Sequence, residues 1–134
     1  MGLGLIKTTE RVELVCSSDP AVGRESDEWI EIDEAKGARK KGASVVTVRA
    51  LNDREVMRCS SAFAAIDFED SSTESTLLLA DAMARAVSLA FVRCDEGDGS
   101  TESADVVIQA LKTSPLITLG SWILSASGMG ADPT

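Results

Sequence analysis

Residues 11–16 alternate cleanly. Val12, Leu14 and Cys16 fall on one side and Arg11, Glu13 and Val15 on the other, the period of two of a half-buried strand. Ser17-Ser18-Asp19-Pro20 then reads as a turn. Residues 28–33 predict a second strand, with Ile30 and Ile32 on one face and Trp29 on the other, polar one. Residues 44–50 (SVVTVRA) predict a third, rich in the β-branched side chains that suit a pleated surface. Between the last two lies a basic, glycine-containing stretch, residues 34–42, so the simplest pairing of these strands is a long-looped hairpin.

The period then changes. Asn52-Asp53-Arg54-Glu55 places a capping residue three positions before a glutamate, the mark of a helix start. That helix is expected to reach residue 65, with Val56, Ser60, Phe63 and Ala64 on one face. After an acidic loop over 67–72, a long helix over 73–93 carries Leu79, Met83, Ala86, Ala90 and Phe91 as a stripe, widened by Leu77, Leu78, Val87 and Leu89. Its polar stripe is narrow: Glu74, Asp81, Arg85 and Ser88. A helix this apolar belongs in a core or an interface. Residues 94–103 read as a loop and 104–112 as a short helix capped by Ser103. Ser114-Pro115 opens a last helix and Gly128 is placed to end it. The expectation is an α+β fold: a small antiparallel sheet of about three strands in the first third, then about four helices. One domain would span 1–134, with a β-rich part at 1–51, a helical part at 52–128 and a frayed tail at 129–134.

Composition narrows what such a fold can do. The net charge of −9 is uneven: residues 1–58 hold 10 basic and 11 acidic side chains, and residues 59–134 hold 3 and 11. The second half should repel nucleic acid and anionic membrane. The apolar start at 1–6 is too short for a secretory signal, and the uncharged run 114–131 is broken by Pro115, Gly120 and Gly128, short of a membrane span. Cys16, Cys59 and Cys94 are odd in number and widely spaced, the pattern of reduced thiols in a cytoplasmic compartment.

Histidine and tyrosine are both absent, which removes the usual general base and the commonest metal ligand. Asp95, Glu96, Asp98 and Glu102 suggest a calcium loop, but Gly97 and Gly99 occupy slots where ligands are needed. Glu31 and Asp33 would share an exposed strand face with Trp29. Lys36, Arg39, Lys40 and Lys41 lack the interleaved aromatics of a base-stacking surface. The expectation is a protein that is not an enzyme and takes no cofactor, metal, nucleic acid or membrane. Its partner would be protein, with self-association left open. Leu116, Leu119, Trp122 and Ile123 have the spacing of helix-in-groove recognition. Trp29 joins them as an aromatic of the kind found at interface hot spots, with burial in the domain's own core as the alternative for both tryptophans.

Three segments resemble the small tail assembly chaperones of long-tailed bacteriophages. The first is Trp29-Ile30-Glu31-Ile32, followed after a loop by Val46-Thr47-Val48-Arg49-Ala50-Leu51-Asn52-Asp53-Arg54-Glu55, similar to a strand and short capped helix. The second is the helical middle ending in an acidic loop. The third is residues 106–111 with 116–127, similar to two short closing helices. The resemblance implies a non-catalytic role in host cytoplasm: binding the long, helical, aggregation-prone tape measure protein, keeping it soluble, and helping to recruit tail tube subunits. A second reading keeps the phage setting but makes the chain a virion component, a head–tail connector, tail completion or capsid-associated protein with permanent intersubunit contacts.

Overall fold

The computed structural model describes residues 9–64, 66, 73–96 and 99–128. The apolar start, the acidic loop at 67–72 and the tail at 129–134 lie outside them. The fold is α+β, with five antiparallel strands and four helices among the described residues. In chain order these are β1 (Val12–Cys16), β2 (Trp29–Glu31), β3 (Val45–Val48), α1 (Asp53–Ala64), α2 (Thr73–Ala90), β4 (Phe91–Asp95), β5 (Thr101–Glu102), α3 (Ala104–Ala110) and α4 (Thr113–Ala126). The sheet order is β2-β1-β3-β4-β5.

Two expectations about the sheet are corrected. It has five strands, because β4 follows α2 without a linker and forms a hairpin with β5 where a loop was expected. The helix yields at Ala90 because the Arg49 N–H, just past β3, takes the Ala90 carbonyl at 3.0 Å, and β4 then pairs with β3. Thr47 sits opposite Arg93 and Val48 opposite Phe91, so Val92 is the extra residue of a bulge. The second correction is the pairing. β2 and β3 do not form a hairpin; each flanks β1, with Val15 opposite Ile30 and Leu14 opposite Val46.

The basic stretch between β2 and β3 instead folds over the back of the sheet. After a single 3-10 turn at Ile32–Glu34, turn bonds such as Ala38 N–H to Ala35 C=O and Ala43 N–H to Ala38 C=O hold it in shape. Ala35, Ala38 and Ala43 are buried against Val15, with Ile30, Ile32, Ala21 and Val22 around them. Methyl side chains let this backbone lie close to the strands, and its lysines stay outside.

The front of the sheet carries the main core, where Leu14, Val46, Val48 and Cys94 meet Met83, Val87, Leu119 and Ile123. Helices α2 and α4 pack so closely that a Cβ added at Gly120 would lie 2.7 Å from Met83 Cβ and 2.9 Å from its Cα. Gly128, at φ +94°, ends α4 in a conformation that glycine adopts freely. The expected serine cap of α4 is corrected: Lys112 is the capping residue, with no side-chain bond, because the helix begins two residues before Pro115.

The start of α1 is as the sequence predicts. Glu55 N–H donates to Asn52 Oδ1 at 2.9 Å, and Asn52 N–H returns a bond to Glu55 Oε1 at 3.0 Å. Glu55 also accepts two bonds from the Arg49 guanidinium, at 2.9 and 2.7 Å. This double engagement turns Glu55 and Cys59 inward and leaves Ser60 exposed, so the expected face is rotated; the side chains of Phe63 and Ala64 lie outside the described residues.

Two outcomes follow from this packing. Gly120→Ala should destabilise the protein by about 1–3 kcal/mol, since the clash involves Met83 Cβ and Cα as well as its movable Sδ; urea unfolding measures it, and an unchanged midpoint refutes the close approach. The Arg49 guanidinium holds the Glu55 carboxyl below the usual carboxylate range. Its contribution is therefore fully present above the unfolded pKa and lost as pH falls through the folded one. Glu55→Gln should cost about 1–3 kcal/mol at pH 7, and the gap from wild type should close in urea titrations repeated below about pH 4.

Candidate partner-binding site

Helix α4 has no charged side chain, and its position is set by bonds to residues far away in the chain. At its start, the Trp29 indole N–H donates to the Pro115 carbonyl at 2.9 Å and the Thr118 hydroxyl donates to the Asp27 carbonyl at 2.6 Å. At its end, Ser127 Oγ accepts from Leu51 N–H at 2.8 Å and donates to the Ile123 carbonyl at 2.7 Å. The three long-range bonds fix which side of α4 faces the core.

The structure separates the five residues singled out from sequence. Leu119 and Ile123 are fully buried, and Leu116 and Trp29 are buried at 8% and 7% exposure. All four belong to the main core. Trp122 alone is half-buried. It lines an open hollow of about 400 Å³ with Trp29, Glu28, Thr118, Ser121 and Ser125. Trp29 reaches this hollow from β2, whose front side is covered by α4, so the face predicted as polar is in part a core face. The hydroxyl residues of α4 and Glu28 were not singled out by sequence reasoning. Their signal was present: Thr118, Ser121, Trp122 and Ser125 recur at helical spacing opposite the leucine stripe.

Further apolar surface lies on the helical hairpin. Met57, Leu77 and Leu78 are 68%, 57% and 42% exposed. Leu77-Leu78-Leu79 are consecutive, and a helix turns about 100° per residue, so they cannot all face one core. The polar residues Glu74, Asp81, Arg85 and Ser88 are exposed as predicted.

The remaining candidate chemistry is accounted for by local partners. Arg39 pairs with Glu13 across the back of the sheet, and Lys36, Lys40 and Lys41 are exposed. Asp33 lies in the 3-10 turn and so does not share a strand face with Glu31. Asp95 is paired with Arg93, and Glu96 accepts the Ser44 hydroxyl at 2.6 Å; Asp98 lies outside the described residues. Among the described residues no group of three or more Cys, Asp and Glu is placed to hold a metal ion, and no helix is long and apolar enough to cross a membrane.

The three cysteines are free and buried. Burial pushes the Cys94 thiol up to about 12, helped by the Glu96, Asp95 and Glu102 carboxylates. Burial also raises Cys59, with Arg85 opposing. Both sulfurs stay protonated at neutral pH, which disarms them as nucleophiles. Searches of family models, of curated proteins and of solved structures each find no match to this chain.

Cys59 and Cys94 should resist alkylation by iodoacetamide at pH 8 in the native protein and react promptly in guanidinium. Peptide mapping after labelling checks this, and prompt native labelling of either residue contradicts the packing described.

Proposed function

We propose that the protein is a non-catalytic binding module whose partner is another protein, and that it serves as a tail assembly chaperone for a tape measure protein. The observation that carries the binding reading is the open hollow at Trp122, where an uncharged helix presents a half-buried indole among hydroxyl groups beside a sheet edge. Tryptophan is enriched among the residues that carry the binding energy of protein interfaces. The exposed Leu77, Leu78 and Met57 add apolar surface of the kind that shields aggregation-prone helices. The tail setting itself comes from the resemblance of the strand, capped-helix and closing-helix segments.

The hydroxyl rim and the half-buried setting of Trp122 favour a transient contact over a permanent one, since permanent interfaces resemble a domain core cut in half. A chaperone must release its client, and a virion component must not.

The test is affinity capture of the tagged full chain from its native expression context, followed by mass spectrometry. Leu119 and Ile123 are structural, so the informative variants are Trp122→Ala and Leu77→Glu/Leu78→Glu, each checked for folding by circular dichroism. Recovery of one very long, helix-rich tail protein, reduced by these changes and accompanied by absence from purified particles, is the expected result. Stable recovery with portal, capsid or tube subunits, and presence in mature particles, replaces the chaperone reading with the virion-component one.

A further inference from the structure

Strand β2 lies at one end of the sheet, and among the described residues nothing pairs with its far side. The ladder fixes which of its backbone groups are free. Ser17 N–H donates to the Glu28 carbonyl at 2.8 Å, so the 17/28 pair is a bonded pair. Bonded pairs in an antiparallel ladder recur every second residue. Val15 and Ile30 are therefore the next bonded pair, and the N–H and C=O of Trp29 and Glu31 point away from β1. The outer edge of β2 thus offers the N–H groups of Trp29 and Glu31 and the Trp29 carbonyl, while the Glu31 carbonyl opens the 3-10 turn at Ile32–Glu34.

This edge is acidic. Glu25, Asp27, Glu28, Glu31, Asp33 and Glu34 fall within ten residues that contain no Lys or Arg, and none of the six has an ion-pair partner among the described residues. At the same edge opens the Trp122 hollow, lined by Glu28 and Trp29. Native sheets commonly blunt such an edge with charged side chains, proline or a covering element; here Glu28 and Glu31 stand beside an apolar recess, while Asp33 and Glu34 lie next to Lys36 of the basic stretch.

From this juxtaposition we infer that β2 is a docking edge for an extended, basic segment of a partner protein, which adds as a sixth strand. Backbone bonds to Trp29 and Glu31 supply its register. One set of alternate side chains lies over the Trp122 hollow, on the face that Glu31 shares with Trp29, and places lysine or arginine beside that carboxylate. The inference rests on this face being a protein-binding surface and names the mode and chemistry of that binding.

Glu31 provides a discriminating substitution. Its backbone sits at φ −66°, ψ 142°, within the range proline imposes, and its N–H points outward. Glu31→Pro therefore removes a docking donor with no loss to the β1–β2 ladder, whereas Glu31→Gln removes only the charge. The probe is a short capped peptide of alternating lysine and valine, titrated into the full chain by tryptophan fluorescence, with amide hydrogen exchange followed by NMR. The expected result is saturable binding that weakens with salt and confers new protection on the Trp29 and Glu31 amides. Binding should fall at least about tenfold in Glu31→Pro and only about two- to fivefold in Glu31→Gln, both variants retaining the wild-type circular dichroism spectrum.

Equal binding to wild type and Glu31→Pro, equal binding of a glutamate–valine peptide, or no binding at all overturns the inference. So does protection of these amides that grows with protein concentration alone, which assigns the edge to a second copy. Peptide binding lost while capture of the tail protein persists removes strand addition and leaves the proposed function standing. Peptide binding that meets the criteria without any tail capture supports the docking edge and removes the tail partner.

Discussion

Strand β3 is buried on both faces, and the other layers are arranged to meet that requirement. Val46 and Val48 look into the main core, while Val45 and Thr47 look to the back of the sheet. A central strand with no solvent face needs a cover on each side. The front cover is made by α2 and α4, which approach so closely at Gly120 and Met83 that they act as one slab. The back cover is made by a stretch with no regular structure beyond one 3-10 turn, held by turn bonds and by buried alanines.

The junctions between these layers are polar and specific. Arg49 stands at the most connected of them. Its N–H holds the last carbonyl of α2, and its guanidinium holds the glutamate that caps α1. Asp19 has a comparable role at the back. Its carboxylate takes the N–H groups of Ala21 and Ser44, tying the turn after β1 to the chain entering β3. Side chains of this kind turn an otherwise permissive hydrophobic sandwich into one arrangement.

Much of this was legible in the sequence wherever local chemistry and global packing agree. The β1 alternation, the Asn52/Glu55 box and the Gly128 terminator are local signals, and the fold uses each one. The missed features are those decided by distant partners. Phe91 and Val92 continue the apolar pattern of α2 with no breaker between, so only the ladder to β3 reveals a strand there. Ala35 and Ala38 gave no period because their burial depends on the sheet behind them. The candidate site was half legible for the same reason. Spacing placed Leu116, Leu119, Trp122 and Ile123 on related faces of one helix, but the Trp29–Pro115 and Ser127–Leu51 bonds choose which face turns inward. Trp122 remains at the surface because of that choice.

The way α4 is held also bears on how the chain is made. Its three long-range bonds reach residues 27, 29 and 51, and its leucines close the front of the sheet. During synthesis, the strands of the first third leave the ribosome long before residues 113–126 exist. For that interval the front of β1 and β3 lacks its lid, and the nascent chain presents bare apolar sheet to the cell. Closing the front of the sheet thus waits for α4, and a ribosome stalled anywhere before it would display a sticky, incomplete fold.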